Sequence, residues 1–220
     1  MAAAENLFNY AVERDDLKQI LAHLPAVEGP RKVTVEYELQ LLKIISVGWG
    51  ISFFMAAQPF KEPLYKAFWH HIQTLSQEIS TATSASTGKD IDYFTIIKER
   101  LDIYVNALKH FADSPDTAKV IGATFAKLCG DETNSYIILA GKRTFSLASA
   151  GVKNYIQTHD IQLYHSPVYI EYTKTLSPHR QFRHFERPFG NRFLSQYRSE
   201  LAGLDRPGPS ADSPAQPVHP

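Results

Sequence analysis

An all-α fold is predicted for this 220-residue chain by three features of its sequence. The first is a run of nineteen residues, Leu39 to Ala57, whose one charge is Lys43. The second is the recurrence of apolar side chains at helical spacing. Leu64, Ala67, Phe68, Ile72, Leu75 and Ile79 follow it with His71 in register, and Phe94, Ile97, Leu101, Tyr104, Leu108 and Phe111 alternate spacings of three and four. The third is punctuation: proline, glycine, serine and aspartate cluster between these segments and hardly enter them.

The run around Trp49 is read as the central helix, from about Lys32 to Gln58, ended by Pro59 because a residue before proline is driven out of the α region. Nineteen apolar residues would also reach across a bilayer. Lys43 inside the span, Ser46, Gly48, Gly50 and Ser52 diluting it, and Glu36 and Glu38 upstream argue instead for a helix apolar all round at the centre of a soluble bundle. Gly48 and Gly50 should each cost about 1 kcal/mol relative to alanine. Their compensation is close approach of a neighbouring helix, or a kink or ligand against the bare backbone.

The remaining helices follow in order. Residues 4–24, with Leu7, Ala11, Ile20 and Leu24, read as one amphipathic helix, and Pro25 to Pro30 as a loop. Pro63 suits the first position of the next helix, whose apolar pattern runs to Ile79; Ser80 to Lys89, rich in Ser, Thr and Ala, reads as a polar loop. Asp90 is placed as N-cap of the Phe94 helix, and Ser114 as N-cap of a helix over Val120, Ile121, Phe125 and Leu128 that stops at Gly130. Asp131 is placed as cap of a last helix running to about His159. Its small residues, Ala140, Gly141, Ser146, Ala148, Ser149, Ala150 and Gly151, predict packing against Gly48-Trp49-Gly50.

The expected organisation is one domain over 1–202: about five main helices closed by an aromatic-rich C-terminal arm over 160–202. In that arm eight aromatics lie between Asp160 and Tyr197. The last eighteen residues hold five prolines and few apolar groups, so 203–220 is expected to be a disordered tail. A lone Cys129 and an N-terminus without a basic region and apolar run point to a reducing, cytoplasmic compartment. Lys plus Arg equals Asp plus Glu at 23 each, so global charge points to no partner class.

Known catalytic, metal and nucleotide signatures do not occur. None of the twelve glutamates has a histidine three residues on, as a di-metal bundle site needs; a single cysteine cannot make C-x-x-C pairs; and Gly48-Trp49-Gly50 meets Phe53 where a G-x-G-x-x-G loop needs glycine. This excludes motif-bearing enzymes and leaves other enzymes open. His70 and His71 are adjacent and point about 100° apart on a helix, a poor pair for one metal. His110, near a helix end with Asp113 three residues on, is read as a structural cation.

Two sites remain as candidates. Between 179 and 198 five arginines face one acidic residue, a local charge of about +4, and Phe182, Phe185 and Phe189 alternate with Arg180, Arg183 and Arg187. Guanidinium groups among aromatics suit carboxylate, phosphate or stacked-base recognition, so His179, Arg180, Arg183, His184, Arg187 and Arg192 are the expected binding residues. The same pattern could simply staple the arm to an acidic bundle surface. The expected partner is a protein or anionic ligand; nucleic acid is weakly supported, and peripheral membrane contact is a third class without stable insertion. The alternative site is an apolar small-molecule or cofactor pocket formed by Gly48, Trp49, Gly50, His71 and Tyr104, the cofactor itself being unknown.

Overall fold

A computed structural model describes residues 2–24, 30–110 and 116–159. Seven helices stand among them: α1 (Ala2–Val12), α2 (Asp15–Ala22), α3 (Pro30–Phe54), α4 (Lys61–Thr87), α5 (Tyr93–His110), α6 (Thr117–Leu128) and α7 (Ser135–His159). The described residues contain no strand, as the sequence predicts. The aromatic arm over 160–202, the tail over 203–220 and the expected binding residues His179, Arg180, Arg183, His184, Arg187 and Arg192 lie outside the described residues.

The core is built on α3, which touches each of the other six helices. Every residue from Leu41 to Ser52 is buried, which is the all-round apolarity of the sequence expressed as packing. Residues 48 and 50 project to nearly opposite sides of the helix. Gly48 accordingly lies under Phe68 and Trp69 of α4, while Gly50 lies under Val152 of α7. Between them the Trp49 ring lies 5.1 Å from that of Phe145 on α7. The predicted contact of the small-residue helix with Gly48-Trp49-Gly50 is thus present, and the bare backbone admits two helices from two sides. A second pair of glycines brings α6 and α7 together: Gly122 lies against the Ile138 carbonyl and Lys142, and Gly141 against Phe125.

Several predicted boundaries are corrected, each for an identifiable reason. The single helix expected over 4–24 is two, broken at Glu13 and Arg14, because buried Lys43 takes the Glu13 carbonyl and the Asp16 carboxylate at the break. The central helix ends at Phe54, four residues before Gln58. Overlapping turns, from the Gln58 amide to the Met55 carbonyl and from the Lys61 amide to the Gln58 carbonyl, then lead directly into α4. Pro63 occupies the third helical position, where its missing donor is still among the unpaired first turn.

The stretch 80–89 is not a loop: α4 continues to Thr87. Its hydroxyls donate back along the helix, Ser80 to the Ser76 carbonyl, Thr81 to Gln77 and Thr87 to Thr83, and so remain helical despite weak propensity. Gly88, at φ 68°, closes it in the left-handed conformation. The N-caps are shifted as well. Asp92, not Asp90, accepts from the Phe94 and Thr95 amides; Asp116 accepts from Lys119, the expected cap Ser114 lying outside the described residues; and Asn134, not Asp131, accepts from Tyr136 and Ile137. In each case a second short polar side chain two or three residues on competed for the cap.

Candidate functional site

Buried charges mark either structure or chemistry, and the core holds several titratable groups. Glu38 on α3 is 3% exposed. The Arg100 side chain of α5 reaches it in a fork: Nε donates to both carboxylate oxygens at 3.0 Å and Nη2 donates to Oε1 at 2.8 Å. One turn on, the Tyr104 hydroxyl is fully buried without a hydrogen-bond partner. Burial, and then the charge of Glu38, push that phenol well above its ordinary 10.0. The same two causes push the Cys129 thiol from 9.0 to about 12.

This corner therefore holds a neutral phenol and a neutral thiol beside a satisfied ion pair. A thiol is a nucleophile only as thiolate, so Cys129 is inert at neutral pH. Two outcomes are expected. Iodoacetamide at pH 8 should leave the native thiol unmodified over a time that fully alkylates the urea-unfolded chain, read by intact mass. Stability should also fall as pH rises from 9 to about 12: the unfolded thiol ionises near 9 while the folded one waits until about 12, so the unfolded state releases its proton first. Cys129→Ala should flatten the decline of the urea midpoint over that window, and the Tyr104 phenol should leave a residual slope above 10.

A second buried charge ties four helices together. Lys43 is 1% exposed; its Nζ donates to Asp16 Oδ1 at 2.7 Å and to the Glu13 carbonyl at 2.8 Å, and lies 4.8 Å over the Tyr10 ring. Tyr10 in turn donates to the Leu147 carbonyl of α7 at 3.1 Å. At the surface Lys142 holds Asp116 at 2.8 Å, pulling that carboxyl below its usual range, and Arg31 holds Asp131 at 3.1 Å. These charges are committed to joining helices. No group of three or more potential metal ligands occurs among the described residues.

The five residues of the alternative pocket are only partly brought together. Gly48, Trp49 and Gly50 face α4 and α7, as described above. His71 is half-buried and packs 5.4 Å from Phe8 of α1, while His70 is exposed. Tyr104 belongs to the Glu38 corner, and Glu38 precedes Gly48 by ten residues, about 15 Å along α3. Close helix contact accounts for both glycines.

The sequence reading missed the outer face of α7. Tyr136, Leu139 and Leu147 are 54%, 59% and 43% exposed, and exposed Arg143 stands between them. At 3.6 residues per turn these four side chains fall within an arc of about 80°. The side of α7 carrying Ile137, Ala140, Gly141, Thr144, Ala148 and Val152 is buried, so the stripe looks away from the core. Over its 25 residues α7 carries Lys142, Arg143 and Lys153 and no carboxylate. α6, packed beside it, adds exposed Lys119 and Lys127 and none either. The signal is present in the sequence as an acid-free helix, whereas the small residues of α7 mark its buried side. No helix among the described residues is long and apolar enough to cross a membrane. Family models, curated proteins and solved structures offer no match to this chain.

Proposed function

We propose that the chain is a non-catalytic binding or regulatory module of the cytoplasm that contacts a protein or an anionic ligand. The observation that carries this reading is the outer face of α7, where three large apolar side chains flank an arginine and no other described residue covers them. A row of exposed apolar side chains with a cation within it is the composition of a recognition surface. The Arg/His/Phe segment at His179, Arg180, Arg183, His184, Arg187 and Arg192 is proposed as a second contact of the same charge sign, on an arm closing the helices. The core supports the reading from the other direction: Glu38 and Lys43 are paired across helices, and the thiol and phenol are held neutral.

The alternative is a helical bundle holding a small molecule or cofactor at Gly48, Trp49, Gly50, His71 and Tyr104. Native mass spectrometry of protein purified gently from its own cells separates the two. The module reading expects the bare chain or the chain with whole protein partners. A constant added mass of a few hundred daltons, surviving buffer exchange, would overturn it in favour of the ligand-holding bundle.

A further inference from the structure

We infer that the outer face of α7 docks an acidic amphipathic helix of another protein. This inference rests on the reading of the chain as a binding module and names the chemistry of its partner. The stripe Tyr136, Leu139, Arg143 and Leu147 is laid out at helical spacing along more than three turns. Such a row matches a second helix presenting apolar residues at spacings of three and four. Arg143, exposed in the middle of the row, calls for a carboxylate opposite it, and a guanidinium can meet that carboxylate through two parallel hydrogen bonds.

Charge decides among possible occupants. α6 and α7 together carry Lys119, Lys127, Lys142, Arg143 and Lys153 with no acidic residue inside either helix. Of the neighbouring carboxylates, Asp116 is already held by Lys142 and Asp131 by Arg31, and exposed Glu132 precedes Tyr136 by four residues. A second copy of the chain pairing through the same face would set cation against cation. The chain's own segment 179–198, at about +4, bears the same sign and is disfavoured likewise. An acidic helix is attracted to the middle of the row, where Arg143 stands. With only three apolar anchors the contact is small, so it is a transient interaction and weakens as salt rises.

The test uses the full chain and a fluorescent synthetic peptide of about three heptads, with leucine at the seam positions and glutamate elsewhere. A counterpart in which every glutamate is lysine serves as control. Fluorescence anisotropy should show the acidic peptide binding at least tenfold tighter than the basic one. Amide chemical-shift changes should map to the exposed positions of α7. Arg143→Glu should weaken binding about tenfold, and the pair Leu139→Asp and Leu147→Asp should abolish it with the circular dichroism spectrum unchanged, since both leucines are exposed.

Equal affinity for the two peptides, or shifts centred away from α7, would overturn the inference. So would binding to vesicles of anionic phospholipid that the paired aspartates abolish while the peptide does not bind. A dimer dissolved by those aspartates would point to a second copy instead. A nitroxide placed at position 139 that broadens residues 160–202 of the same chain would point to the arm. If the purified chain carries a protein partner but the acidic peptide does not bind, the module reading stands and this inference fails alone.

Discussion

Replacing Arg100 by Met, with Glu38 left in place, is expected to lower the free energy of unfolding by about 3 kcal/mol. The reason lies in the asymmetry of a buried pair. Glu38 is 3% exposed and receives three hydrogen bonds from one guanidinium, so removing that group strands a carboxylate out of reach of water. Attraction within the pair largely repays the desolvation of two charges, whereas nothing repays the desolvation of one. Adding Glu38→Met to the first change should therefore restore most of the loss, because two methionines of similar length fill the space without a charge. Urea unfolding followed by far-ultraviolet circular dichroism, in a double-mutant cycle, measures both steps. If the double variant is as unstable as Arg100→Met alone, the pair does not carry the energy assigned to it.

The second large effect is expected at a single carbon. Gly122→Ala should destabilise the protein by about 2 kcal/mol, although alanine is favoured over glycine in a helix by about 1 kcal/mol. A Cβ built at Gly122 would lie 2.6 Å from the Ile138 carbonyl oxygen, an atom of the α7 backbone that has no rotamer by which to move. The whole of α7 must shift to accommodate it. At Gly48 the nearest atom is Cζ2 of Trp69, at 2.5 Å, part of a ring packed against Tyr65 and Phe68, so the penalty there has the same sign but a side chain can share it. Gly48→Leu should lower the melting temperature of the whole protein in one transition. Selective loss of a bound small molecule with stability intact would instead revive the pocket at Gly48, Trp49 and Gly50.

These two predictions draw on contacts of different legibility. The helices themselves could be read from the sequence, since spacing and side-chain chemistry are local. Phe94, Ile97, Leu101, Tyr104 and Leu108 repeat without a miss and all five are buried. Helix ends were read less well, because Asp90 and Asp92, or Asp131 and Asn134, are equivalent candidates until the backbone chooses between them. Thr81 and Thr87 read as loop residues only if their hydroxyls face water; bonded back to the helix, they extend it. Pairs distant in sequence were not legible at all. Nothing near Lys43 announces Asp16, and nothing near Glu38 announces Arg100, 62 residues away. The candidate face on α7 was legible only in part: its charge was written in the composition of one helix, but its exposure depends on where α3 and α6 stand.

The position of α3 bears on how the protein comes apart. A helix that touches all six others cannot lose any of them without uncovering apolar surface of its own, so the stability of each neighbour is shared through it. Short α1 and α2, which meet α3 near Lys43, can open only by breaking the Lys43 bonds to Asp16 and to the Glu13 carbonyl. The amides of Leu41 to Ser52 are held further, because their release requires α4 and α7 to leave as well. Those twelve residues are expected to exchange slowest among the described residues, at the free energy of global unfolding, as hydrogen exchange read by mass would show.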